Sequence, residues 1–377
     1  MKSIIQTYHH IPLKIGALFL MLTLGCTSDA EPEDMPMEDV VFDTSEARVF
    51  QMGFTTWPFA PTQLAVDETN AFLMANGDIY SEHIDSEIPW SAWINDTDLP
   101  IAFTDMVAHR TARRTSGTRM TLSISLLNLD RNDLMPDFDG QKPDYTALND
   151  ETIVEAYHKH VRYLVAQLQP EYLVIAVEVD GLLKNAPEKW AEYKLLISNV
   201  KSRIKTEYPT LPIAESVMLH NFYRPDYDTQ QSVIDEVGNY VNTMDFAAIS
   251  FYPFLKGLQR TSEVQQAFDF LHAHVDVPIA FAETGHLSED LSIEGFDLFI
   301  PGTESEQVTY MQTLFTNAQA EHYEYIIWWT HRDYDPLWET FPEDLKDLGK
   351  IWISTGILNE DGVEKQAYSS WKAAFSK

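Results

Sequence analysis

The chain has 377 residues, 45% of them hydrophobic and 12% Phe, Trp or Tyr. That is enough apolar material for one large core, and it excludes a disordered chain. Its 58 Asp and Glu against 26 Lys and Arg leave a formal net charge of −32, which repels phosphate backbones and excludes nucleic acid as an expected partner, while uncharged polymers meet no such penalty.

The chain opens with Lys2 and Lys14, then a short apolar run from Ile15 to Leu24. The run is too short to span a bilayer as a helix and has the form of a signal peptide over residues 1–25. Gly25 and Cys26 follow, and Cys26 is the single cysteine of the chain, so no intrachain disulfide is possible. Leu22-Thr23-Leu24-Gly25-Cys26 resembles a bacterial lipoprotein cleavage site, which implies that Cys26 becomes a lipidated N-terminus. Thr23 departs from the Leu more usual there, and Thr27 resembles the pattern of lipoproteins sent to the outer membrane or cell surface. Residues 26–47 are acidic, with Pro32 and Pro36 and little apolar periodicity, and are expected to be a tether. One folded unit is expected over 48–377.

Within that unit, short apolar runs alternate with longer amphipathic stretches. The expected strands begin at Val49, Ile79, Met120, Tyr172, Ile213, Phe246, Ile279 and Tyr325. Between them, 152–168, 190–208, 231–242, 263–274 and 304–320 carry apolar residues at three- and four-residue steps, the period of a helix packed on one face. Eight strand–helix units predict a closed (β/α)₈ barrel. A doubly wound sheet would carry a glycine-rich turn after its first strand, whereas here that strand runs into Thr55-Thr56-Trp57-Pro58.

Barrel sites gather at the C-terminal strand ends. Two of these ends place a carboxylate directly after an apolar run: Glu178 on the fourth strand and Glu283 on the seventh. A carboxylate there must be hydrated, paired or used. Retaining glycosidases use such a pair, one group protonating the leaving oxygen and the other attacking the anomeric carbon.

At these residues the sequence resembles glycoside hydrolase clan A. Tyr172–Asp180 (YLVIAVEVD) is similar to its strand-four segment and Pro278–Gly285 (PIAFAETG) to its strand-seven segment. Ile249–Phe254 (ISFYPF) and Tyr325–Trp329 (YIIWW) are similar to its strand-six and strand-eight segments. The combination leans towards arabinogalactan endo-β-1,4-galactanase-like enzymes. The resemblance implies that Glu178 is the acid/base, that Glu283 is the nucleophile, that Tyr252 supports Glu283, and that Trp328 or Trp329 floors the central sugar subsite. It implies no cofactor and no metal. One position departs from the clan: Val177 stands where the clan has an Asn that binds the sugar 2-hydroxyl. Asn128 and Asn221, at other strand ends, are the expected substitutes, and Asp180 is an alternative acid.

His220 and Trp57, also at strand ends, complete the expected sugar-binding set, because flat rings stack on sugar faces while polar groups orient them. Trp190 and Trp371 fall in helical patterns and are expected in the core. The acidic loop from Asp130 to Gly140 lacks EF-hand spacing and is expected to be solvated rather than calcium-bound. The expected protein is therefore a monomer, tied to a membrane only through Cys26, that cleaves a β-linked polysaccharide or oligosaccharide. The alternative is a non-catalytic glycan-binding lipoprotein on the same barrel.

Overall fold

The computed structural model describes residues 41–114, 117–227 and 229–377. Cys26, the expected signal peptide and most of the expected tether lie outside the described residues. The described end of the tether segment meets the barrel: Phe42 is buried edge-on to Phe50 and Phe315, and its N–H donates to Gln312 Oε1.

The strands run β1 (Gln51–Thr55), β2 (Ile79–Ile84), β3 (Arg119–Ile124), β4 (Tyr172–Val174), β5 (Ile213–Ala214), β6 (Ser216–Met218), β7 (Ala247–Phe251), β8 (Ile279–Thr284), β9 (Leu291–Ile293), β10 (Leu298–Ile300) and β11 (Tyr325–Trp328). All but the small antiparallel β9–β10 pair form one parallel sheet, in the order β5-β4-β3-β2-β1-β11-β8-β7-β6. Its two outer members are halves of one strand, parted at Glu215. β5 pairs with β4, and β6 pairs with β7. The halves also share the β4 ladder, since Ser216 N donates to Ala176 O and Val179 N to Ser216 O. The sheet is thus a closed barrel of eight strand positions, the predicted (β/α)₈ architecture, and a doubly wound sheet is excluded.

The helices cover the outside. Those at Glu151–Leu168, Trp190–Glu207, Gln230–Val241, Thr261–His274 and Glu304–Ala320 match the periodic stretches of the sequence to within about two residues at each end. Their apolar stripes face the strands. In Glu151–Leu168, for example, Ile153, Tyr157, His160, Val161, Leu164 and Leu168 are buried. Helices at Gln63–Asn76 and Ile101–Ala112 fill the first two crossovers, and one at Gln366–Phe375 closes the outer layer. Trp371 of the last is fully buried, 4.2 Å from the Phe54 ring, and its Nε1 donates to Asn76 O.

Side chains alternate along these strands, apart from register breaks near the ends of β7, β8 and β11. On one face, Phe54, Leu122, Leu173, Ile249, Phe281 and Trp328 join the large core between sheet and helices. On the other, Tyr172, Val174, Val177, Ala214, Phe246, Ala248, Ala280, Ala282, Tyr325 and Ile327 fill the barrel interior. Gly53 belongs to that inner face, where a Cβ would lie 1.7 Å from Ile79 O. Large rings plug the bottom, with Tyr172 5.6 Å from Phe246 and 5.0 Å from Tyr325. Small residues fill the middle and polar ones the top.

Candidate active site

The strand parity decides which indole reaches the mouth. Ile327 points inward, so Trp328 points outward. Trp328 is fully buried, its Nε1 donates to Thr355 O at 2.8 Å, and it is no part of a sugar subsite. This corrects half of the Trp328-or-Trp329 expectation. Trp329, one residue on, stands half-buried beside Trp57 (centroids 5.4 Å apart) and His83 (6.0 Å). Trp57 also meets Tyr334 at 6.0 Å and Phe341 at 6.4 Å, which completes an aromatic wall. The Nε1 atoms of Trp57 and Trp329 are buried without a partner among the described residues.

Regular alternation alone would turn Glu283 outward, because Ala282 already faces inward. The β7–β8 register breaks there: Ile249 pairs with Phe281, but Ser250 pairs with Glu283. A bulge of this kind adds a residue to one strand and re-aims the next side chain. Glu178 is turned by a different device, a left-handed backbone with φ 52°. That conformation costs on the order of 1–3 kcal/mol in a non-glycine residue and concentrates at functional sites.

The end of one strand holds both carboxyl groups. Ser250 Oγ on β7 donates to Glu178 Oε1 at 2.8 Å, and the Tyr252 hydroxyl, just past the end of β7, donates to Glu283 Oε2 at 3.2 Å. Glu178 Oε2 is taken by Arg131 Nη2 at 2.8 Å, and the Glu178 N–H donates to Ser216 Oγ at 2.8 Å. Another strand carboxylate, Glu82, makes the contrast. It is fully buried on the outer face of β2, and Arg110 and Arg113 neutralise it, so it is a structural ion pair and not a group facing the mouth.

Electrostatics part the two glutamates. Burial raises the Glu178 carboxyl, but the Arg131 charge and the hydrogen bonds from Ser250 and Arg131 outweigh it and hold the group below its ordinary range. Glu283 is pushed up to about 8, first by burial and then by the Glu178 charge, against the Tyr252 hydrogen bond. Both effects point the same way, with charge favoured on Glu178 and a proton favoured on Glu283. The roles implied by the resemblance need that proton on Glu178.

The other expected residues divide. His220 is buried near Glu178 and depressed to about 4 by burial, hence neutral, and its Nδ1 has no partner among the described residues. Asp180 is buried and pushed up to about 7 by burial, with the Glu178 charge adding to the shift. It accepts from Met218 N at 2.9 Å and so ties the end of β6 to the helix Asp180–Asn185. Asn128 spends its side chain on its own loop, accepting from the N–H groups of Asn132 and Asp133 and donating to Asn132 Oδ1. Asn221 packs its amide on Met218 Sδ at 3.2 Å. Neither Asn is joined to Glu178 or Glu283 by a hydrogen bond in the structure. Val177 points down into the barrel interior, 2% exposed, so nothing at that position reaches a sugar.

Sequence reasoning missed Arg131, Ser250, Ser216 and His83. It also missed Trp352, which meets Tyr252 edge-on at 5.8 Å. Ser250 was recoverable, lying two residues before Tyr252 on an inward-facing position. Arg131 was not, since a loop arginine carries no periodic signal. Among the described residues, no group of three or more His, Cys, Asp or Glu is placed to hold a metal. The acidic loop is tied to its surroundings, with Asp133 bound by Lys142, Lys189 and Tyr145, and Asp137 accepting from Ser91 N and Phe138 N.

No protein-family model matches the chain, and no curated protein matches it. Solved structures do. An exo-β-1,4-mannosidase of an Opitutaceae bacterium superposes with TM-score 0.64 at 13% identity over 90% of this chain, which spans only 61% of that protein. The GH53 catalytic domain of Ignisphaera aggregans gives 0.60 at 14% identity, covering 89% of this chain and 99% of that one. A GH5_18 protein of Streptomyces cattleya, solved with GlcNAc, gives 0.60 at 16% over 88% and 80%. At such identities the likeness establishes a shared barrel fold, and function must be argued from the site.

Proposed function

We propose that this protein is a retaining glycoside hydrolase acting on a β-linked glycan, with Glu283 as nucleophile and Glu178 as acid/base. The observation that carries the reading is the tying of both carboxyl groups to the end of β7, through Ser250 on the strand and Tyr252 just past it. The GH53 and GH5_18 domains and the β-1,4-mannosidase that share the barrel support it.

In this reading the glycan lies against Trp57 and Trp329, whose unpartnered indole N–H groups face hydroxyl acceptors. Glu178 gives its proton to the leaving oxygen as Glu283 attacks the anomeric carbon, and a covalent glycosyl ester forms. The ionised Glu178 then takes a proton from water, which attacks the same carbon and frees Glu283. This cycle needs one proton and one charge on the pair. Substrate entry has to shift the favoured place of the proton from Glu283 to Glu178. A galactan-like polymer is the proposed substrate class. Export and lipid anchoring through Cys26 are proposed from the leader.

The test is reducing-sugar release from a panel of plant and algal polysaccharides, followed by anion rescue. E283A loses turnover, and azide or formate restores part of it with inverted product. E178A keeps attack on dinitrophenyl glycosides and, with azide, gives retained product. Reversed stereochemistry exchanges the roles. Binding of a glycan with no cleavage of any makes the protein a glycan-binding lipoprotein, the reading that Val177 favours.

A further inference from the structure

The Arg131–Glu178 pair is built, not incidental. Arg131 sits in the loop after β3, in a left-handed conformation with φ 49°, and Glu178 opposite it has φ 52°. Both ends of one ion pair are thus held in costly backbone states, which persist only where surrounding structure imposes them. The fork is fixed at two points, Nη2 on Glu178 Oε2 at 2.8 Å and Nη1 on Asn128 O at 3.0 Å. The Asn128 side chain braces the loop that carries it. Gly181, three residues past Glu178, leaves the room: a Cβ there would lie 2.7 Å from Arg131 Cβ. Nε of the same guanidinium is buried with no partner among the described residues. The pair is partly shielded, with side chains 15% and 21% exposed.

We propose that Arg131 is a positioning residue for Glu178, acting on its carboxylate from the loop after the third strand. It clamps the carboxylate in the empty site, with Ser250 on the other oxygen, and it yields Glu178 when a glycan enters and offers its hydroxyls to the guanidinium. The clamp keeps Glu178 ionised and therefore unable to act as an acid until substrate is present. The release step rests on the glycosidase reading above; the clamp does not. The other titratable groups that act on Glu178 or on its neighbours are Glu283, His220, Asp180, His83, Tyr252 and Asp85. None of these is a permanent cation, whereas Arg131 is.

The test uses the full-length protein labelled with ¹³C at glutamate Cδ and titrated without ligand, the Glu178 signal being identified by its loss in E178Q. In wild type the midpoint lies below the ordinary 4.5. In R131Q it rises by about 1 to 3 pH units, the effect of losing an adjacent cation, and R131K reverses most of the rise. An unchanged midpoint in R131Q overturns the proposal. Should R131Q not fold, ¹⁵N-arginine spectra of wild type and E178Q decide. The clamp predicts separate, slowly rotating Nη groups for Arg131 that average in E178Q, and averaged groups in wild type overturn it. In an active enzyme the acidic limb of kcat/KM climbs with the midpoint in R131Q and returns in R131K. A limb that stays put while the midpoint moves removes Glu178 from the reaction, which sinks the glycosidase roles and leaves the clamp standing.

Discussion

Removing the Tyr252 hydroxyl tests the nucleophile most directly. Tyr252 is 2% exposed, and its ring is held edge-on by Trp352 at 5.8 Å and Phe254 at 6.0 Å, so Y252F keeps the packing and loses one donor. A hydrogen bond to a charged group contributes roughly 1.5–3 kcal/mol. The 3.2 Å separation here exceeds the roughly 2.5–2.7 Å of a strong O–H···O⁻ contact, so the lower end applies. About 1.4 kcal/mol is one pKa unit and a factor of ten in rate. Burial and the Glu178 charge already raise Glu283 to about 8, and losing the donor raises it further. The basic limb of kcat/KM should therefore move up by about one pH unit. The microstate with its charge on Glu283 becomes about tenfold rarer, and kcat/KM near neutral pH falls by about that factor. The assay is the pH–rate profile on an activated aryl glycoside, with the melting temperature as control. An unmoved limb and an unchanged rate in a normally folded Y252F refute Glu283 as nucleophile.

The two adjacent tryptophans should separate cleanly. W328A opens a cavity in the core and loses roughly 3–5 kcal/mol of stability in urea unfolding, whereas W329A melts near wild type and raises KM. Glu215, buried between the Tyr193 and Tyr240 hydroxyls, is pushed up to about 7 by burial. A folded-state value raised above the unfolded one means that its stability contribution is full below about 4.5 and lost as pH rises through about 7. The urea midpoint of wild type should fall from pH 5 to pH 8 by more than that of E215Q, and parallel changes in the two would discount the residue. Fractionation of cells expressing C26A should move the protein out of the membrane fraction, and co-fractionation with wild type would end the lipid-anchor proposal.

Strand and helix positions were legible because each depends on a local period. Residues two apart share a strand face, and residues three or four apart share a helix face, so burial imprints itself on the sequence without reference to the partner. The helix Glu151–Leu168 is read this way, whereas the strand Tyr172–Val174, buried on both faces, is read as a continuous apolar run. The two carboxylates were legible for a related reason, since an acid closing an apolar run stands out against it. Helices Gln63–Asn76 and Ile101–Ala112 did not stand out. The first buries only Ala65, Thr69 and Leu73, and the second only Phe103 and Val107, too few to set a clear period.

The tertiary structure decided what depends on register and on distance through space. Trp328 and Trp329 are equivalent as letters. Only the inward face of Ile327 sends one indole into the core and the other to the mouth. Glu283 reaches the site because a bulge breaks the alternation, and Glu178 because its backbone turns left-handed, and neither break is written in local residue types. Arg131 lies 47 residues before Glu178 in a loop whose conformation is set by its own side-chain bonds, so nothing in the sequence joins the two. The side chain of Val177 likewise goes where the barrel interior has room. The bias of charge toward Glu178 follows from these contacts, because the adjacent guanidinium and its hydrogen bonds outweigh the effect of burial. The sequence by itself determined that two carboxylates stand at a barrel mouth. Which of them carries charge more readily is decided by Arg131 and Ser250 at Glu178 and by burial at Glu283, groups that only the closed barrel brings together.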